Sequence, residues 1–504
     1  MSSSTSSLWT PAASARTASA LAGNDTCDVC VIGAGIAGLT TAYLLGREGK
    51  RVLVLDAKPE FAAGETEYTT AHLAWYLDDH FSHLVAVRGD AIAKTAASTH
   101  RNAIALIGDI VKREQIDCDY HAVSGHLFAA ANGTDLLHEE AETLTRLELP
   151  FERTKLAFPN EKEVECLRFP DHARFHPIRY VLGLVAAVRQ QGGVIYTDTV
   201  VEKVRGGRPC EVRTTKEHTV TAGAVVIATN NPFEGGTVLH TKVSAHLTYA
   251  LAANVPSGSF ADGLFWDTAA PYHYVRLQPG GPASDVDTLI VGGEDHKTGQ
   301  AQDQATRWDR LTAWTRERFP NLGPVRHRWS GQVFETPDGL GLIGLAPWNG
   351  PNVFVITGDS GMGLTHGTLG AQLVTDLVAN RVNESAAAYS PSRLMPGALL
   401  TRLGENLNMA AQYVDWVTGG DVKNPDHIPP GQGAVIRSGL TKLAVYKDDR
   451  GAVTKMSAVC PHMGAIVHWN AAESTWDCPC HGSRFSATGT CLHGPSVGDL
   501  KNVD

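Results

Sequence analysis

The sequence predicts an α/β protein with a Rossmann-like dinucleotide-binding domain and a small all-β domain at the C-terminal end. Three observations carry this. A strand, glycine turn, helix and strand occupy 28–60, a second glycine turn opens a helix within 352–378, and two mixed cysteine–histidine loops lie among short strands after residue 431. A chain of 504 residues has room for about two to four domains. Hydrophobic residues at 43% with charged residues at 19% place it among globular rather than disordered chains.

Residues 1–24 are serine-rich, contain Arg16 as their only basic residue and lack the apolar stretch of a secretory signal, which predicts a flexible N-terminal arm. The run "DVCVIGAGIAGLTTAYLLGREGKRVLVLDAKPE" (28–60) then predicts an apolar strand over 29–32, a helix over about 36–46 and a strand over 51–55. Gly33 permits the turn, Gly35 lets a pyrophosphate approach the backbone, and Gly38 lets helix and strand pack closely; the diphosphate meets the positive end of the helix dipole. Asp56 ends the second strand, where a carboxylate can accept from a ribose hydroxyl. Cys27 and Cys30 form a CxxC pair, but on a regular strand residues i and i+3 face opposite ways, so both are expected to be structural. The segment "NVFVITGDSGMGLTHGTLGAQLVTDLV" (352–378) gives another strand, a turn with Gly358, Gly361 and Gly363, and a helix. Its helix N-terminus can serve the far end of an extended dinucleotide.

Charge and cysteine usage narrow the function classes. The net charge is -10 with no cluster of Lys and Arg, which excludes a nucleic-acid partner. Apolar runs fall short of the ~20 residues of a membrane span. Nine cysteines are too sparse for a disulfide scaffold, and a reducing, cytoplasmic setting is expected.

The pairing of an N-terminal with a C-terminal glycine turn resembles the D-amino-acid oxidase (DAO) family of FAD-dependent oxidoreductases. The resemblance implies that Thr69, Thr70 and Ala71 in "GETEYTTAHL" (64–73) pass by the flavin and that the main chain of Val201 in "TDTVVEKV" (197–204) meets the adenine. Thr229 belongs to the similar "VVIATNN" segment (225–231), and "ETPDGLGLIG" (335–344) precedes the last flavin element. It implies a discontinuous flavin domain over 25–390 and an α+β substrate domain mainly at about 240–335, where "PYHYVRLQPG" and "TLIVGGEDH" read as antiparallel strands. Tyr68 stands where some relatives attach FAD through a histidine, so FAD is expected to be non-covalent, with His72 a packed histidine. Gln332 and Val333 stand near the family's carboxylate-gripping arginine, which argues against an α-amino acid substrate. Arg276, His273, Tyr272, Tyr274 and His366 are the candidates for the flavin face and for catalysis.

Residues 391–430 read as a helix and linker: Leu399, Leu403, Leu407, Val414 and Val417 form a stripe expected to pack on the flavoprotein, and Gly419 and Gly420 stop it. In the β domain over 431–504, Cys460-x-His462 and Cys478-x-x-His481 each offer one thiolate and one imidazole. This is the donor set of a Rieske 2Fe–2S centre; a Cys2His2 zinc site is the rival that ligand types alone allow. The domain resembles the Rieske family. In respiratory-chain members the residue matching Cys480 pairs with a cysteine where Ala465 stands here, so Cys480 is expected to remain a thiol. Ser483 is placed to donate to the cluster, while Phe485 replaces a tyrosine of high-potential relatives. A potential in the lower half of the roughly -150 to +300 mV Rieske range is therefore expected.

Together the two centres imply an enzyme. An amine or amino-acid-like donor gives up a hydride to FAD, and electrons leave one at a time through the Rieske cluster to an external acceptor. The alternatives are a reductase fed by NAD(P)H, for which a second GxGxxG unit is missing, and a non-catalytic redox sensor. Homo-oligomer formation is left open by the sequence.

Overall fold

The computed structural model describes residues 5–10, 16–160, 162–234, 239–281, 283–395 and 399–503. Its first sheet runs in the order Leu342–Leu345, Val353–Thr357, Thr219–Asn230, Asp25–Ile32, Val52–Leu55 and Val194–Tyr196. All but the first of these are parallel to their neighbours. Runs such as "VCVI", "VLVL" and "VFVIT" are buried throughout, as strands covered on both faces must be. Helices Ile36–Arg47 and Gly363–Val378 lie side by side on one face. They approach so closely that a Cβ on Gly367 would sit 3.2 Å from that of Ala37. Both glycine turns therefore open at the carboxyl ends of parallel strands, the usual place for a ligand in such a sheet.

The second sheet runs Val325–Glu335, Ser244–Pro256, Val286–Lys297, His273–Gln278, Leu264–Asp267, His121–Phe128, Val164–Arg174 and His72–Leu73. Pairing is antiparallel except between Leu264–Asp267 and His121–Phe128. The 240–335 estimate captures five of these strands. The others, "HL", "HAVSGHLF" and "VECLRFPDHAR", carry too little apolar alternation to announce a half-buried face.

Strands Gln432–Ser438, Thr441–Lys447 and Val453–Ser457 make one small C-terminal sheet, and His468–Asn470, Thr475–Asp477, Arg484–Ser486 and Cys491–His493 make another. Val435, Met456, Ile466, Trp476 and Phe485 form their shared core together with Cys460, Cys478 and Cys480.

Three expectations are corrected. The described parts of 1–24 are packed, not loose: Trp9, Arg16 and Leu21 are buried. Trp9 Nε1 donates to the Thr69 carbonyl at 2.6 Å, and Arg16 pairs with Glu67 at 2.8 Å. Residues 1–4 and 11–15 lie outside the described residues. Second, Asp28 and Val29 both donate to the Arg51 carbonyl, a bulge that turns Cys27 onto the same face as Cys30. The thiols are neighbours, and all nine cysteines are free. Third, the helix over Leu399–Ala411 passes into a 3₁₀ turn over Gln412–Trp416. Leu407, still within the helix, and Val414 and Val417, in and just after the turn, are 71%, 57% and 76% exposed. Met409 and Trp416 instead pack on the C-terminal core, and Lys297 holds Glu405 at 2.6 Å. The side chains of Leu399 and Leu403 lie outside the described residues.

Candidate active site and iron–sulfur centre

A cavity of about 730 Å³ runs from the first glycine turn to the second sheet. Its cradle is made by backbone that tolerates no side chain. A Cβ on Gly33 would lie 2.5 Å from the Ala228 carbonyl oxygen, and one on Gly38 1.9 Å from that of Gly33. Gly33 holds φ +108°, in the region that favours glycine. Gly33, Gly35, Asp56, Val201 and Thr229 line this end, and Thr69, Thr70, Gly361 and Gly363 line the cavity further along. Gly38, Ala71 and Gly358 do not reach it: Gly38 packs helix on strand, Ala71 turns its carbonyl to Arg276, and Gly358 faces Thr336. Asp56 accepts from the Ala34 and Lys58 backbone N–H groups, and burial raises its pKa.

The candidate catalytic residues divide. Tyr272 and Tyr274 line the cavity. His366 reaches the wall, but its Nδ1 contacts the Asp359 carbonyl at 2.6 Å and its Nε2 accepts the Gly341 N–H at 3.2 Å, which makes it a brace. Arg276 and His273 lie off the cavity and are corrections to the sequence reading. Arg276 is fully buried, donates to the Ala71 carbonyl at 2.8 Å and packs over Trp9. His273 stands beside Asp267 at 2.9 Å and stacks on Trp314. Strand alternation explains His273, which points away from the face shared by Tyr272 and Tyr274. Gln332 lines the cavity but turns its amide out of it, as described below.

Sequence reasoning missed a wall. Cys491, Leu492 and His493 of the C-terminal domain line the same cavity. His493 meets Glu65 at 3.0 Å, and Lys58 Nζ donates to the Leu492 carbonyl. No local signal marks these residues, since their partners lie more than 400 positions away.

At the second centre, Cys460, Cys478 and His481 are buried, and His462 Nδ1 is buried with no partner. Among the described residues no three His, Cys, Asp or Glu side chains converge as one metal ion requires. A tetrahedral zinc site needs all four donors around one ion, whereas a 2Fe–2S centre needs a cysteine pair and a histidine pair. The donors fit the pairs. Cys460 and Cys478 lie in the same buried core and act on each other's ionisation, and the rings of His462 and His481 lie 5.0 Å apart. Burial pushes both imidazoles down to about 4, leaving them neutral as ligands must be. The Cys460 thiol is raised by Cys478 and by burial, so iron has to supply the charge that ionises it. Cys480 is a free thiol against the Met409 carbonyl.

The flavoprotein part grips this centre directly. Asn231 Nδ2 donates to the His481 carbonyl at 2.8 Å, and Gln332 Nε2 to the Gly482 carbonyl at 2.7 Å. Both residues also line the large cavity. His240 is buried against the rings of His462 and His481, at 4.7 and 5.0 Å. Ser483 is buried next to Cys460 and lowers the pKa of that thiol, a position from which its hydroxyl can donate to a cluster sulfur. Because such bonds stabilise the reduced cluster, Ser483→Ala is expected to lower its potential, read by an EPR-monitored redox titration.

A split glycine cradle beside paired cysteines and histidines defines an oxidoreductase that holds FAD and a Rieske 2Fe–2S cluster. The chain belongs to the FAD dependent oxidoreductase (DAO) family, which matches residues 28–377, and the Rieske [2Fe-2S] domain matches 419–504. It is 30% identical over 487 residues to YhfW of Bacillus subtilis (strain 168), named for a Rieske 2Fe-2S iron-sulfur protein; the match covers 95% of this chain and 93% of that one. It is 27% identical over 413 residues to gamma-glutamylputrescine oxidoreductase of Escherichia coli (strain K12), covering 77% of this chain and 92% of the relative. The fold is shared with glycine oxidase from Geobacillus kaustophilus at a TM-score of 0.63 and 18% identity, over 74% of this chain and 100% of that one. Among the described residues no helix is long and apolar enough to cross a membrane.

Proposed function

We propose that the protein is a dehydrogenase that takes two electrons from the carbon beside a nitrogen, in an amine or amino-acid-like substrate, and delivers them singly to an external acceptor. FAD supplies the two-electron acceptor and the Rieske cluster the one-electron carrier. The observation that carries this reading is the shared wall: Asn231 and Gln332 line the flavin cavity and bond the backbone at and beside the ligand His481. Such contact has little purpose if dioxygen alone empties the flavin. The names of gamma-glutamylputrescine oxidoreductase and glycine oxidase support a nitrogen-bearing substrate. Anaerobic titration of the purified protein tests it. Flavin bleaching by amines or amino acids is expected; bleaching by NADH alone points to a reductase, and indifference to all three removes the catalytic reading. The double variant Asn231→Ala/Gln332→Ala is expected to slow cluster reduction at least about tenfold in stopped-flow traces, with flavin bleaching itself unchanged, because two buried hydrogen bonds of ~1 kcal/mol each hold the loop.

A further inference from the structure

We infer that the far end of the cavity is a cation site, in which Asp78 is the counter-ion of an alkylammonium group, and that the substrates are aliphatic amines without a carboxylate. This rests on the dehydrogenase reading and names its substrate class.

Asp78 lies at the cavity wall, where its Oδ2 accepts the Tyr272 hydroxyl at 2.7 Å. Among the described residues that is its one hydrogen bond, and no Lys, Arg or His forms an ion pair with it. A carboxylate removed from bulk water needs a counter-charge or a full set of donors. The protein supplies neither. Its surroundings add negative charge: Asp359 lines the same cavity, and Asp79, Asp295 and Asp359 all act on Asp78. Burial, with these acids, raises Asp78 to about 7, as expected of a carboxylate awaiting a cation.

The other walls suit the same guest. Tyr76 and Trp266 line the cavity with centroids 5.6 Å apart, and Tyr272 and Tyr274 with centroids 5.4 Å apart. Aromatic faces beside an acid attract ammonium groups. Among the described lining residues Lys58 is the one Lys or Arg; its backbone N–H donates to Asp56 at the glycine-turn end, and its Nζ is engaged by the Leu492 carbonyl. Arg276 is committed to the carbonyls of Ala71 and Phe175, and burial keeps His72 neutral, at about 3. A substrate carboxylate would therefore meet Asp78 and Asp359 with no cation to receive it.

The experiment is a spectral titration of the oxidised holoenzyme with tert-butylammonium, which has no α C–H to oxidise, and with its anionic isostere pivalate. Tert-butylammonium is expected to shift the flavin absorbance saturably, and pivalate to leave it unchanged. Asp78→Asn should weaken the ammonium ion at least about tenfold, as loss of a buried charge partner implies, and Asp78→Glu should restore part of it, with flavin content and cluster EPR constant. Pivalate binding as tightly as the ammonium ion, or an Asp78→Asn protein that binds the ammonium ion normally, would overturn the inference. Should Asp78→Asn not fold, the wild-type comparison of the two ions decides alone. If no amine or amino acid bleaches the flavin, the dehydrogenase reading fails while the ion preference still reports the site's charge. If α-amino acids bleach it faster than their decarboxylated amines, the dehydrogenase stands and the cation site falls.

Discussion

A Cys478→Ser protein is expected to keep its flavin and lose its turnover. Cys478 is buried in the core of the small domain, its N–H donating to the Ser483 carbonyl and its own carbonyl accepting from Gly482. A hydroxyl fits that space with little disturbance, but it gives up its proton far less readily than a thiol and so makes a poor iron ligand. Iron content and the rhombic EPR signal after dithionite should therefore fall to background. The glycine cradle is untouched, so anaerobic bleaching of the flavin by an amine should persist while acceptor-linked turnover drops at least about a hundredfold. The domain should also melt earlier, because metal binding is folding energy when the ligands come from separate loops. A cluster-free protein that still reduces the external acceptor at the wild-type rate would remove the electron route proposed above.

What the sequence disclosed follows the range of the forces involved. The first strand, turn and helix are written locally, in an apolar run and three glycines whose spacing is set by one backbone approach; the helix expected over 36–46 forms over Ile36–Arg47. The Rieske domain is equally local in its signal, since Cys460-x-His462 and Cys478-x-x-His481 each occupy a loop a few residues long. Asp78 was invisible because an isolated acid in a loop acquires meaning only when Tyr272, almost 200 residues later, bonds to it. Gln332 was read as the gap left by an arginine, and its use as a donor to Gly482 required the second domain to be in place. Arg276 and Tyr274 share one strand, yet the loop at Ala71 covers the first and the cavity opens beside the second. Trp9 and Arg16 looked like part of a polar tail because serines outnumber them, but two side chains with specific partners suffice to fasten a strap. One bulge at Asp28 cancelled the alternation on which the Cys27 and Cys30 argument rested.

Gly38→Ala is expected to produce a protein without flavin. The added methyl would lie 1.9 Å from the Gly33 carbonyl oxygen, 3.0 Å from its carbon and 3.3 Å from Val31 Cγ1. Two of those atoms are backbone in the turn itself, so no rotamer change relieves the clash; the helix must lift away from the strand. Overpacking of this kind costs about 1–3 kcal/mol, which a chain of this size can survive. Cofactor binding cannot absorb it so easily, because the displaced element is the helix N-terminus whose dipole faces the diphosphate. Bound flavin per polypeptide should fall at least about tenfold, with the Rieske EPR signal retained and the melting temperature lowered. Gly404→Ala supplies the contrast: nothing lies within 4 Å of its added methyl, the position is exposed on a helix, and alanine there is favoured by up to about 1 kcal/mol. That protein should keep its flavin and melt no earlier than the parent. Equal flavin content in the two variants would show that helix-to-strand contact at Gly38 does not govern the cofactor site, and the cradle would have to be sought elsewhere in the cavity.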